Sequence, residues 1–142
     1  MATFIVRIGL KNGCEAEFER IVGEIYVATH RDEPGCRRYE YYRCQTPGHY
    51  YCLLSFDRYE DFLIHQTSDH HEKDAKRLVE IIETFEMEWL DPMITDARVT
   101  ADGFKPTTAS GPPEDADALT LHYASQFEVQ VATWWAAMRR AA

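Results

Sequence analysis

Three of the six histidines lie in one short segment, HQTSDHH (65–71). An imidazole can bind a metal ion or transfer a proton near neutral pH. Two zinc-binding histidines of one helix usually stand four residues apart, which places both side chains on one face. His65 and His70 are five residues apart, His70 and His71 are adjacent, and no Cys or carboxylate motif beside them completes a set of ligands. We therefore expect no bound metal, and proton transfer is the chemistry that this segment favours.

The end of this segment has the composition of a helix start. Ser68 and Asp69 are favourable N-cap residues, and Asp69 precedes Glu72 by three positions, the spacing of a capping box. His71 would then belong to the first turn of a helix, between polar neighbours. We therefore expect the His71 side chain to point to solvent.

His65 has different neighbours, because it continues the apolar pattern of Phe56 and Phe62 on the inner side of a short helix. A half-buried imidazole needs a hydrogen-bond partner, and its pKa is easily shifted. Two interpretations stay open for His65. It is either a catalytic base facing a pocket between sheet and helices, with Phe56 and Phe62 contacting the substrate, or a core histidine bonded to the backbone.

An aromatic hairpin supplies the second candidate group. We expect Tyr39, Tyr41 and Tyr51 to share one face of a sheet, since residues two apart in a strand point the same way. They could form a wall for a flat aromatic ligand and bind its oxygens, or pack against one another across the strands. Arg38 could hold a carboxylate or an enolate, or lie on a solvated rim of the hairpin.

The elements that position these groups follow the order β-α-β-β-α-β. The first five predicted elements are a strand over 3–10, a helix over 15–29, strands over 36–44 and 50–56, and a short helix over 59–65. A second long helix begins near Asp69, carries an apolar stripe to Trp89 and ends at Asp91-Pro92, and a last strand is predicted over 94–101. This is an α+β, ferredoxin-like arrangement with a four-stranded antiparallel sheet and both helices on one face. The other face is bare, so we expect a homodimer.

The C-terminal part has a different composition. Residues 103–117 are rich in Pro, Gly, Ser and Thr, which predicts a linker or an extended arm after a domain over 1–102. Residues 118–142 return to helical periodicity over 118–140. We expect one amphipathic helix there, covering either the pocket of its own domain or a second subunit.

Composition limits the class of protein. The chain of 142 residues is 45% hydrophobic and 13% aromatic, which is typical of one globular domain. Its net charge of −9 offers no electrostatic surface for nucleic acid or anionic lipid. No apolar run approaches the roughly 20 residues that span a bilayer. We expect a cytoplasmic protein with reduced thiols, because no signal peptide is visible and the four cysteines form no C-x-x-C pair.

Three stretches together carry a family resemblance: EPGCRRYEYYR (33–43), a strand ending in an aromatic residue, and HQTSDH (65–70). They resemble the antibiotic biosynthesis monooxygenase family of dimeric α+β barrels, over about residues 3–101. The residues that fit the family series are Glu33, Gly35, Cys36, Tyr39, Phe56, His65, Ser68 and His70.

The resemblance implies two ferredoxin-like protomers that pair sheet to sheet, each with a pocket between its sheet and its helices. Some members oxygenate aromatic polyketides, anthrones or quinols without metal or flavin, so the resemblance implies no cofactor. It also adds His70 to His65 and Tyr39 as a catalytic candidate. The haem-degrading branch has a Trp where His65 stands and an Asn on its first strand, which is missing here. Haem degradation is therefore not expected.

The resulting hypothesis is a cofactor-independent monooxygenase for a small electron-rich aromatic substrate. His65 would be the base, Tyr39 or Tyr41 would orient the substrate oxygen, and Trp89 would form a pocket wall. One alternative is a lyase, isomerase or decarboxylase that uses the same pocket. The other is a non-catalytic binding dimer, which Leu54 favours because the family often has a Glu at that position.

Overall fold

The computed structural model describes residues 1–93, 95 and 103–141. The elements are β1 (Ala2–Leu10), α1 (Glu15–Asp32), β2 (Cys36–Arg43), β3 (His49–Phe56), α2 (Tyr59–Thr67), α3 (Asp69–Ile81), β4 (Ile82–Trp89), α4 (Ala118–Gln126) and α5 (Thr133–Ala141). The four strands form one antiparallel sheet in the order β2-β3-β1-β4. The predicted ferredoxin-like fold with a C-terminal helical extension is confirmed.

The core lies between the sheet and the helices. β1 occupies the centre of the sheet, and its alternate residues Phe4, Val6 and Ile8 are buried on the helix-facing side. The apolar stripe of α1 packs onto them, as its spacing of three and four predicts. The buried residues of that stripe are Phe18, Ile21, Val22, Ile25, Ala28 and Thr29.

The predicted helix up to Trp89 is wrong in its second half, because α3 ends at Ile81 and β4 follows without a loop. In β4, Phe85, Met87 and Trp89 alternate and lie opposite residues of β1 on the helix-facing side. The apolar residues of this stretch fit both a helical and a strand period, and pairing with β1 decides between them because it satisfies the backbone groups of the central strand. The strand predicted over 94–101 lies, apart from residue 95, outside the described residues.

The C-terminal segment packs against its own domain. The Thr107 hydroxyl donates to the Leu90 carbonyl at 2.6 Å and accepts from the Thr3 amide at 3.3 Å. Arg139 binds Asp91, with Nε 2.9 Å from Oδ2. These contacts hold the segment beside β1 and the end of β4.

The single helix predicted over 118–140 is also wrong, because the chain forms two helices with a break after Gln126. At the break, the carbonyl of Phe127 accepts from the Tyr59 hydroxyl and the carbonyl of Glu128 accepts from Trp89 Nε1, each at 2.9 Å. Val129 turns onto the core there. Contacts with α2 and β4 thus replace the helical hydrogen bonds at this point.

All four cysteines carry free thiols. None of the helices in the described ranges has the length and apolar character required to cross a membrane.

Candidate active site

A cavity of about 570 Å³ lies between the helix-facing side of the sheet and the helices. Phe4, Tyr39 and Tyr41 belong to its sheet side, and Phe62 and His65 of α2 belong to its helix side. The volume is in the range of small-molecule sites. Aliphatic and aromatic side chains dominate the lining, so the few polar groups in it decide how a ligand is oriented.

One buried carboxylate anchors two of the three clustered histidines. Glu33 follows α1 in the Asp-Glu-Pro-Gly turn, and its side chain is 6% exposed. His65 Nδ1 lies 3.1 Å from both carboxylate oxygens of Glu33, and His70 Nε2 lies 2.6 Å from Oε1. The Thr29 hydroxyl, on the last turn of α1, lies 3.3 Å from His65 Nδ1. Three separate helices and a turn therefore meet at this group.

The carboxylate determines which nitrogen of His65 carries the proton. An ionised carboxylate can only accept hydrogen bonds, so the facing Nδ1 atom is the donor. In a neutral ring, Nε2 then holds the lone pair. Within the described part of the chain, Nε2 of His65 has no recorded hydrogen-bond partner, and the residue lines the cavity. With Nδ1 turned toward Glu33, Nε2 is the ring nitrogen of His65 that is left for a ligand.

The same three side chains could bind a metal, since one ligand atom from each lies within 4.8 Å of the others. Two ligands bound to one zinc ion at about 2.0–2.1 Å in tetrahedral geometry would stand about 3.3 Å apart. The 2.6 Å between His70 Nε2 and Glu33 Oε1 is much shorter than this separation and lies close to the short end of the distances of charge-assisted N–H···O hydrogen bonds. We therefore interpret Glu33, His65 and His70 as a hydrogen-bonded cluster.

Two tyrosine hydroxyls lie in the same cavity. Tyr39 and Tyr41 stand on one face of β2, with their hydroxyl oxygens 3.0 Å apart, and the Tyr39 ring packs 4.7 Å from the His65 ring. Burial raises the pKa of both phenols well above the usual value, so both stay protonated. Because one hydroxyl donates to the other, one proton of the pair remains, and it can go to a ligand oxygen or to the Cys52 sulfur beside Tyr41.

His71 also lines the cavity, so the expectation that it points to solvent is wrong. Its side chain is 15% exposed, its Nδ1 atom is enclosed, and the nearest carboxylate oxygen of Glu72 is 3.6 Å away, too far for a hydrogen bond. Burial, followed by the nearby His65, lowers the pKa of His71 to about 4. The exposed first turn suggested by its polar sequence neighbours is covered by Tyr123 of α4, whose ring lies 5.9 Å from that of His71.

Ser68 joins the two helices that carry these histidines. As predicted, it caps α3, and its hydroxyl accepts from the His71 amide at 3.3 Å. The same hydroxyl donates to the His65 carbonyl at 2.7 Å. One residue thus determines the relative placement of His65 and His71.

The remaining apolar candidates have different positions. Phe62 lines the cavity. Phe56 lies behind it in the core, 5.5 Å ring to ring from His65. Trp89 contacts Phe62 and, through its Nε1 atom, the C-terminal segment, but it does not line the cavity. Phe56 and Trp89 thus support the cavity from behind.

Tyr51 and Arg38 lie on the opposite face of the sheet, so the expected shared face of three tyrosines is wrong. The register places Tyr42 opposite Tyr51 and Cys52 opposite Tyr41. Tyr51 therefore faces away from the cavity, 5.8 Å from the guanidinium of Arg7. On the same outer face, Arg38 binds Glu40 at 3.2 Å.

Two groups of site residues are not indicated by any local sequence pattern. Glu33 appeared only as part of the family series, because its contact with His65 joins positions 32 apart and no local period indicates it. The second group belongs to the C-terminal segment, from which Tyr123, Gln126 and Phe127 line the cavity. The helical pattern of that segment predicted a covering helix without specifying these positions.

Comparison with known proteins is consistent with this geometry. A family model described as Antibiotic biosynthesis monooxygenase matches residues 1–77. No curated protein matches the chain. A similar solved structure, named a putative antibiotic biosynthesis monooxygenase, comes from Bacteriodes thetaiotaomicron VPI-5482; it is 18% identical with a TM-score of 0.63, and the match covers 66% of this chain and 90% of that one. Two others with the same name come from Nitrosomonas europaea (16% identity, TM-score 0.61, 66% of this chain and 100% of that one) and Caulobacter crescentus CB15 (20% identity, TM-score 0.60, 64% of this chain and 88% of that one). At identities this low, the similarity of these structures shows a shared fold and no more. The family match spans more than half of the chain and therefore shows the family. The chain therefore belongs to the antibiotic biosynthesis monooxygenase family.

Proposed function

We propose that the protein is a cofactor-independent monooxygenase that acts on a small electron-rich aromatic substrate, such as a phenol or a quinol. The observation that carries the proposal is His65, whose Nδ1 atom is held by Glu33 while the residue lines an apolar cavity beside two protonated tyrosine hydroxyls. This arrangement provides a base, a hydrogen-bond donor and a largely apolar site. These are the groups that oxygenation of a phenol requires of a protein.

The first steps use the substrate as the reductant. His65 Nε2 removes the hydroxyl proton, and the resulting imidazolium is stabilised by the Glu33 carboxylate. Tyr39 or Tyr41 donates to the substrate oxygen, which holds the phenolate in place. The phenolate transfers one electron to O₂, and the two radicals then combine to form a carbon–oxygen bond at the position para to the hydroxyl.

The last steps return the proton. The imidazolium protonates the bound peroxide, and His65 then removes the hydrogen from the oxygenated carbon. The O–O bond breaks, the carbon becomes a carbonyl, and the leaving hydroxide takes the proton to form water. In sum, one phenol and one O₂ give one quinone and one water.

The test uses phenols and naphthols with a free para position, beginning with 1-naphthol, which would give 1,4-naphthoquinone. Oxygen uptake and quinone absorbance should rise together in a one-to-one ratio, and His65→Asn should lower kcat by about 10²–10⁴, the usual contribution of a general base. Substrate consumption without oxygen uptake would instead favour a non-oxidative lyase, isomerase or decarboxylase. Binding of the panel without turnover would favour a binding protein.

We further propose that the protein works as a homodimer. The outer face of the sheet exposes Tyr42 and Tyr51, and Leu53 and Ile5 lie in the adjacent row at intermediate exposure. The same face carries the charged residues Arg7, Glu40, Glu86 and Glu88. Aromatic and aliphatic side chains flanked by charges of both signs suit contact with a protein partner, whose interface would have an apolar centre and a polar rim. A second copy of the chain that uses the same face would cover the exposed tyrosines of both copies at once.

A further inference from the structure

The first part of the C-terminal segment forms one wall of the cavity. Tyr123 and Gln126 of α4, together with Phe127, line it from the side opposite the sheet. These residues lie outside the part of the chain that matches the family model. The wall is therefore made by a segment that the family match does not include.

The wall is held in a defined position. Tyr59 of α2 donates to the Phe127 carbonyl, Trp89 of β4 donates to the Glu128 carbonyl, and the Tyr123 hydroxyl donates to Glu72 of α3. The Phe127 ring adds apolar contacts, since its centroid lies 5.7 Å from the ring of Phe62 and 6.2 Å from the ring of Phe85. Anchors from three elements make this segment a rigid boundary that a ligand must fit.

The cavity is also selective by charge. Among the described residues that line it, there is no lysine or arginine, and the one carboxylate is Glu83. A carboxylate ligand would lose its hydration in this cavity without gaining a lysine or arginine partner, which costs free energy. A neutral phenol loses much less hydration free energy on entering. The described lining offers hydrogen-bond donors such as the tyrosine hydroxyls, but no lysine or arginine to pair with a carboxylate.

We propose that α4 and Phe127 are the substrate-selecting wall of this site, and that they restrict it to uncharged aromatic molecules of limited width while excluding aromatic carboxylates. The proposal rests on the proposed function in one respect, namely that the cavity is the substrate site. Gln126 is the exposed residue of the wall, and Phe127 limits the width of the space next to Phe62 and Phe85.

The charge selection can be tested by calorimetric titration of the full chain without oxygen, so that binding is measured separately from turnover. The matched ligands are 1-naphthol and 1-hydroxy-2-naphthoate, which differ by one carboxylate. The unmodified protein should bind the naphthol at least tenfold more tightly. Gln126→Lys should reduce that ratio at least fivefold. Leu121→Lys adds the same charge to an exposed position of α4 outside the lining and should leave the ratio within twofold.

The width selection uses Phe127→Ala with 1-naphthol and the three-ring 1-anthrol. Removing the ring should shift the ratio of the two affinities toward the larger ligand at least fivefold, while Leu121→Ala leaves it unchanged. Equal effects of the two lysine variants, or an unchanged ratio in Phe127→Ala, would overturn the proposal. If the binding ratios shift as expected but no variant consumes oxygen, the wall is supported and the proposed monooxygenase activity is refuted.

Discussion

Replacing Glu33 by Gln tests the central claim about the site, because Gln has the same shape and lacks the charge. Glu33 accepts from His65 Nδ1 at 3.1 Å and from His70 Nε2 at 2.6 Å. A Gln side chain has one accepting oxygen, and its NH₂ group can only donate. Because His65 Nδ1 lies 3.1 Å from both carboxylate oxygens, the NH₂ group faces His65 in either orientation of the amide, and with its nitrogen at the Oε1 position it also faces His70.

The magnitude follows from these two contacts. A hydrogen bond to a charged group contributes about 1.5–3 kcal/mol, so the loss of one should lower the free energy of unfolding by about that amount. If the amide faces His65, its N–H donates to Nδ1 and moves the ring proton to Nε2, which removes the base. We therefore expect kcat to fall by about 10²–10⁴ with a much smaller change in KM.

The assay is oxygen uptake with 1-naphthol, combined with urea unfolding of the same samples. Glu24→Gln is the matched control, because Glu24 makes only exposed ion pairs among the described residues, with Arg20 on α1 and with Lys73 on α3. It should change neither quantity measurably. Retention of kcat within threefold in Glu33→Gln, in a protein that turns over the substrate, would refute the role of Glu33 in holding the base.

Three further predictions concern proton binding, metals and assembly. The folded-state pKa of His71 is lowered to about 4 from 6.5, so the unfolded chain binds more protons than the folded one between these pH values. The free energy of unfolding should therefore fall by about 3 kcal/mol as the pH falls through that window. His71→Phe should flatten the plot of unfolding free energy, measured with urea, against pH over 4.5–7, and parallel plots for the two proteins would contradict the assignment. Turnover should be unchanged after dialysis against a chelator, and a loss that one metal restores would identify Glu33, His65 and His70 as a metal site. Sedimentation at micromolar concentration should give a dimer, whereas a species near 16.5 kDa would refute the assembly.

The sequence predicted the fold where one period dominated. The stripe of α1 has a spacing that only a helix explains, and its residues are buried as expected. The stretch over 82–89 satisfied two periods, and the backbone needs of β1 decided the outcome. Tyr51 was placed on the wrong face because a one-residue change in strand register reverses every side chain, and only the hairpin geometry determines that register.

The site was predictable only in part, because most of it is made by contacts between distant positions. His65 could be recognised from its place beside Phe62 on a short helix. The acceptor for His65 lies on another turn of the chain, and the cover over His71 comes from α4, some fifty positions later. A local pattern describes the surface of its own element and contains no information about which other element covers it.

The junction at Ser68 limits how this family member can vary in length. α2 ends at Thr67 and α3 begins at Asp69, so a single position separates the two helices. An inserted or deleted residue there would rotate the rest of α3 by about 100° and carry His71 out of the cavity. Substitutions at the junction would weaken a cap, whereas a change in length would disconnect the site. Among chains that keep this chemistry, we therefore expect the interval from His65 to His71 to be free of insertions and deletions, while the hairpin turn over 44–48, which lies outside the lining, can vary in length.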